Sequence, residues 1–410
     1  MANIMEKESY SLATAILVYF VAWMYARGIL MNLGTELAGI WIIAFTLVYL
    51  AWAESAGLLH GKPRSMEAFF WDGTMFFLSI LFVRHLSDEL FALYAFLWHM
   101  AAICLALCQG LVLKDGKTDR CFPLYLLCGM FAIPYGNIFL RISTIIKGVV
   151  HAIKNNSGRT IIVSLVISLP VCFVAFMLLS DASAVFANIR NAAYDIVSGL
   201  YFIKEEDIFT LALSIPIGAW LYGLVEGSMR SSNLQKDVEE MLVKAENAIR
   251  LPVLATNMLV FLLSLLYAFF FLSQGYEFFA YSAATVVDAY QYANRAFWSL
   301  LEVTFLNIAV HYVTMRLSMA SAIDLEKTKK QAMLLDGFNI GIWLIALLRL
   351  LAYIRYGLTA RRLVALLMLL TSGCAIATTQ ASLQKDIDPM RITALFFFVA
   401  AIVLGFLPIL

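Results

Sequence analysis

The sequence predicts an all-α fold: a polytopic transmembrane helical bundle of about eleven spans, or about twelve on the alternative reading, with its N-terminus inside and C-terminus outside. Three observations carry this. Of the 410 residues 62% are hydrophobic and 14% are charged, whereas a soluble domain carries about 25% charged residues. The apolar residues fall in runs close to the ~20 needed to cross a hydrocarbon core as a helix. The basic residues are unevenly shared between the intervening loops. With the N-terminus inside, 20 of the 29 Lys and Arg residues fall on the inner side and 9 on the outer, the bias of a cytoplasmic face.

The expected spans lie near 10–30, 34–53, 66–83, 89–112, 160–180, 206–227, 252–273, 297–316, 334–353, 362–380 and 392–409. Each must be helical, because a lone strand in lipid leaves its backbone groups unpaired. Residues 1–112 thus form four N-terminal spans. Residues 113–159 form an inner loop in which 121–140, broken by Pro123, Pro134 and Gly136, is either a re-entrant segment or an extra span. Residues 160–380 carry six further spans, and 392–409 is the last span. The first run has no small-residue cleavage pattern and reads as a retained helix. Two amphipathic stretches, 182–200 and 231–250, read as surface helices, the second starting at a Ser232/Gln235 capping box.

The net charge of +1 points to no nucleic-acid partner. The six cysteines form neither a CxxC motif nor a Cys/His cluster, so they read as small buried apolar groups, and neither metal nor cofactor is expected. No phosphate-binding loop, nucleophile elbow or zinc-protease motif is present.

Polar groups inside hydrocarbon are costly and mark candidate sites. Thr304, Asn307, His311 and Thr314 follow i, i+3, i+7, i+10 spacing on one helix face. They are either a lane for a proton, ion or ligand, or interhelical hydrogen-bond glue. His99, Asp72 and Glu302 also fall within spans, with partner-pairing the simpler account of each. Glu226 reads as a solvated boundary residue, and Gly223 with Gly227 as a small-xxx-small packing pair. On the outer face, the loop 274–296 carries Glu277, Asp288, Tyr292 and Arg295, and the turn 349–362 carries Arg349, Arg355, Tyr356 and Arg362. These arginines either pair with the nearby acids or meet an anionic group such as a lipid phosphate.

Three stretches resemble a known family. Leu169-Pro170-Val171 is followed by Leu178-Leu179-Ser180-Asp181-Ala182 and Val185-Phe186. Tyr292-Ala293-Asn294-Arg295-Ala296-Phe297 continues to Leu306-Asn307. Arg349 and Tyr353 precede Tyr356-Gly357-Leu358-Thr359 and Arg362. In this order they resemble the bacterial membrane family called domain of unknown function 4173, and its sister 4153, over roughly residues 160–380, which the resemblance makes a family-like core. The chain departs from that pattern at Asn294, Ala296 and Ser299, and Glu302 lies one turn beyond the last. The resemblance implies a bacterial cytoplasmic-membrane protein and no particular reaction. The reading that follows is a non-enzymatic transporter-like, sensory or scaffolding component. Its expected partners are membrane lipids, with an anionic ligand or a membrane-protein partner besides. The alternatives are an intramembrane enzyme acting on a lipid or lipid-linked substrate, with Glu302 or Glu277 as base and His311 as relay, and a stabilising subunit of a membrane complex.

Overall fold

A computed structural model describes residues 2–84, 86–113, 116–152, 164, 168, 170–180, 183, 185–191, 205–231, 234–280, 286–318, 322–354 and 357–407. Within these, the side chains of 2–10, 148–152, 205, 234–235, 275–296, 322–325 and 352–353 are left aside. Among the described residues the fold is all-helical, and the one β-type pairing is an isolated bridge between Leu251 and Ser318. Among the described residues seven helices are long and apolar enough to cross a membrane: Ser11–Asn32, Glu36–Leu59, Asp88–Gln109, Glu206–Arg230, Val253–Gln274, Glu326–Leu351 and Ala360–Ser382. Two bent pairs raise the number to nine if each is one span.

Several elements differ from expectation. The run at 66–83 gives a helix of 16 residues, Met66–Leu81, and the last run one of 17, Pro389–Gly405. At 1.5 Å per residue both are shorter than the ~20-residue helix of a typical crossing. The segment 121–140 is helical on both sides of a π-helical turn at Cys128–Ala132, and it continues past a 42° bend into Leu140–Lys147. The expected outer loop 274–296 is largely helical backbone, since one helix runs to Ala280 and the next starts at Val286. The 182–200 stretch lies mostly outside the described residues, apart from Val185–Asn191.

The chain divides into two compact units. Unit 1 comprises residues 1–85, 101–112 and 126–232. It contains α1 (Ala2–Trp23), α2 (Glu36–Leu59), α3 (Met66–Leu81), the C-terminal part of α4 (Asp88–Gln109), the end of α5 (Phe122–Leu127), α6 (Ile133–Gly136), α7 (Leu140–Ala152) and α8 (Glu205–Arg230). Aromatic rings fill its core. Trp52 stacks on Tyr222 with centroids 6.3 Å apart, and the Tyr49 hydroxyl donates to the Ala102 carbonyl at 2.9 Å. Glycine permits the closest helix approaches. A Cβ at Gly223 would stand 2.7 Å from the Pro134 carbonyl oxygen, and one at Gly227 would stand 2.7 Å from Asn137 Nδ2. The small-xxx-small pair is therefore an internal contact of α8 with the kinked segment. Asp72 pairs with Arg64, which also meets Glu54 at 2.6 Å, so that carboxylate is neutralised by an arginine. Glu226 is buried, contrary to its expected place at a solvated boundary, and its carboxylate faces His60 Nε2 at 3.6 Å.

Unit 2 comprises residues 86–100, 113–125 and 233–410. Its helices are α9 (Leu234–Ala248), α10 (Val253–Ala280), α11 (Val286–Tyr312, followed by a π-helical turn Val313–Leu317), α12 (Ala322–Ile354), α13 (Ala360–Ser382) and α14 (Pro389–Gly405). A core of Val260, Tyr267, Phe297, Leu300, Leu335, Ile342, Leu350 and Leu369 joins α10 to α13. The amphipathic helix α9 buries Val238 and leaves Met241 and Val243 exposed. Asp388 caps α14, accepting from the backbone N–H groups of Met390 and Arg391.

Asp119, outside the spans, accepts from the Cys121 N–H at 2.7 Å. Burial pushes its carboxyl above the usual range, and the charges of Asp388 and Glu239 push it the same way. A carboxylate with a raised folded-state pKa costs the folded state nothing below its ordinary, unfolded-state value, where both states are protonated. The penalty sets in as pH rises through that ordinary value and is complete once pH exceeds the raised one. Asp119→Asn keeps the acceptor oxygen and removes the charge. Its melting midpoint is expected to exceed the wild type's near neutral pH, with the difference vanishing in acid below the ordinary carboxylate range.

Candidate functional site

The polar residues of unit 2 converge where α10, α11 and α12 pack. Thr304, Asn307, His311 and Thr314 are all buried, and they share the face of α11 and its π-helical extension that their spacing predicts. α12 runs antiparallel to α11, so Asp336 meets His311 one end of a ladder and Asn339 meets Asn307 the other. His311 Nδ1 lies 3.0 Å from Asp336 Oδ1, and both side chains are 4% exposed. The Asn307 amide donates to Asn339 Oδ1 at 3.1 Å, and the Asn339 amide donates to the Thr304 carbonyl at 3.3 Å. From α10 the Tyr267 hydroxyl donates to Asn307 Oδ1 at 2.6 Å. Apolar side chains surround Tyr267, and in that low dielectric each hydrogen bond is stronger and each unmet group more costly.

Two buried oxygens of this region have no hydrogen-bond partner among the described residues: Asp336 Oδ2 and Thr314 Oγ1. An unmet buried acceptor costs about 1–3 kcal/mol, and more when it is charged. Such a cost is offset if the carboxylate takes up a proton or receives a cation. The π-helical turn holding Thr314 follows His311 by two residues, and π-bulges recur at functional sites.

The other expected residues are distributed differently. Glu302 is exposed on α11, nine residues from His311 and so on the opposite side of the helix. Arg349 donates to Gln274 Oε1 at 2.7 Å. Arg362 is buried and donates to the Gly357 carbonyl, closing the turn on which it sits. Gly357, with φ +107°, supplies a backbone conformation that other residues adopt at a cost. The side chains of Glu277, Asp288, Tyr292 and Arg295, and residues Arg355 and Tyr356, lie outside the described residues. One bond of His99 runs to the Ala95 carbonyl of its own helix, at 2.6 Å. Sequence spacing on α11 does not mark Tyr267, Asp336 and Asn339, which other helices bring to the ladder. A signal was present for two of them, since Asp336 and Asn339 stand at i, i+3 in an otherwise apolar run.

Among the described residues, fold and site together define an all-helical protein with seven to nine candidate membrane-crossing helices and a buried hydrogen-bonded polar ladder in its second unit. The family model for a domain of unknown function, DUF4153, matches residues 72–409. The chain belongs to that family, the one expected as a sister; the match does not give family 4173. No curated protein and no solved structure matches the chain.

Proposed function

We propose that the protein is a non-enzymatic, transporter-like component of a bacterial cytoplasmic membrane, with the polar ladder of unit 2 as its proton-carrying centre. The single observation that carries this is the buried His311–Asp336 pair, whose carboxylate keeps a second, unmet oxygen. Ionisable pairs at membrane depth are rare, and proton relays are one of their main uses. An imidazole N–H facing a carboxylate is a pair across which a proton can pass. Asn307, Asn339 and Tyr267 extend the hydrogen-bonded chain along the helix. The full count of about eleven spans and the N-inside orientation belong to the same proposal, supported by the distribution of basic residues. Of the two bases the enzymatic reading offers, Glu302 stands on the opposite side of α11 from His311, and the side chain of Glu277 lies outside the described residues.

The test uses the full chain reconstituted in vesicles with a pH-sensitive dye inside and a potassium diffusion potential across the membrane. Wild-type vesicles are expected to change internal pH faster than protein-free ones, and Asp336→Asn vesicles to match the protein-free rate. A wild type no faster than empty vesicles, or an Asp336→Asn variant as fast as wild type, contradicts the proposal. The sensory and scaffolding readings then remain.

A further inference from the structure

Unit 1 holds a buried cation that the ladder of unit 2 does not involve. Arg141, in the first turn of α7, is 7% exposed. Its Nε donates to the Ala15 carbonyl of α1 at 2.9 Å. Its guanidinium carbon lies 5.5 Å from the centre of the Tyr19 ring. Space for the group comes from α8, where a Cβ at Gly218 would stand 2.7 Å from Arg141 Nη1 and 3.3 Å from the Ala22 methyl. Ala15 lies within the apolar helix Ser11–Asn32, and Gly218 near the middle of Glu206–Arg230. The guanidinium thus sits among segments suited to the membrane interior.

Among the described residues no carboxylate lies within ion-pair distance of Arg141. The titratable groups that face its charge are the phenols of Tyr19 and Tyr222. The Tyr19 hydroxyl donates to the Leu211 carbonyl at 3.0 Å, and the Tyr222 hydroxyl reaches the Ser11 carbonyl at 3.5 Å. A buried charge without a counter-charge costs several kcal/mol. The same sequence neutralises other arginines: Arg64 meets Glu54 and Asp72, and Arg27 meets Asp207 at 3.1 Å. Arg141 is treated differently. Its terminal N–H groups form a planar fork that matches two oxygens of one oxyanion.

We propose that Arg141 anchors an oxyanion-binding site enclosed by α1, α7 and α8, in which Gly218 makes room for the guanidinium and the Tyr19 ring faces it. The ligand is a phosphate-type oxyanion, free or as the headgroup of an anionic lipid.

The test follows the melting midpoint of the full chain in uncharged maltoside micelles. One arm titrates inorganic phosphate against chloride at constant ionic strength. The other adds phosphatidylglycerol, with phosphatidylcholine as control. A saturable rise with phosphate assigns a soluble ligand, and a rise with phosphatidylglycerol alone assigns a headgroup. In either case Arg141→Gln is expected to weaken the apparent affinity at least about ten-fold, as for loss of a charge-assisted fork. Gly218→Ala, which keeps the charge but takes its space, should weaken it as well, and serves alone if Arg141→Gln does not fold. The proposal is overturned if neither addition moves the wild type, or if the variants respond as the wild type does.

Discussion

Replacing His311 with leucine is expected to destabilise the protein by about 3–5 kcal/mol, more than replacing Asp336 does. The two side chains are equally buried, at 4% exposure, and 3.0 Å apart. They differ in what each leaves behind. Without His311 the Asp336 carboxylate is stranded in an apolar core, with one oxygen already unmet. Without Asp336 a buried imidazole nitrogen is left without its partner, so Asp336→Leu should cost about 1–3 kcal/mol, the range for an unmet neutral group. The double variant His311→Leu/Asp336→Leu strands nothing and should recover most of the loss, giving a strongly non-additive cycle. Lowering the pH should rescue His311→Leu selectively, because protonation neutralises the lone carboxyl. Denaturant titration in micelles reads all three. Additive losses, or a His311→Leu variant indifferent to pH, would mean that the two residues are not energetically paired.

The second large effect belongs to Gly39 of α2. A Cβ there would stand 2.4 Å from the Phe82 carbonyl oxygen, 2.7 Å from the Phe82 carbonyl carbon and 2.9 Å from the Val83 nitrogen. These are backbone atoms at the end of α3 and cannot rotate aside. Gly39→Val must therefore part the two helices, with an expected cost of about 1–3 kcal/mol or more. Gly73, on α3, provides the contrast. Nothing stands within 4 Å of its Cβ position, so Gly73→Ala should stabilise its helix by about 0.5–1 kcal/mol. Opposite shifts in melting midpoint are the expected result, and equal shifts would show that α2 and α3 do not touch at Gly39.

The sequence made the helices readable because each apolar run is long and bounded by charge. It made one side of the site readable because Thr304, Asn307, His311 and Thr314 keep helical spacing on a single element. The partners Tyr267, Asp336 and Asn339 lie 25 to 40 residues away, and one chain's periodicity does not say which helices pair or in what register. Placing the span at 334–353 also put Asp336 at its edge, whereas the helix begins at Ala322 and carries Asp336 four turns in. The 274–296 region read as a loop because its polar residues lower its hydropathy, although helical geometry needs no apolar run. Arg141 counted as one more inner-side basic residue. Only the packing of α1 and α8 around it reveals that it is buried.

A proton-carrying ladder differs from interhelical glue in one respect: water must reach it. Thr314, with its unmet hydroxyl, sits beside His311 and tolerates a cysteine of similar volume. With the six native cysteines replaced, Thr314→Cys in intact membranes is expected to react with a small water-soluble thiosulfonate, at a rate that Asp336→Asn changes. No reaction from either side of the membrane, in protein that remains folded, would contradict the account.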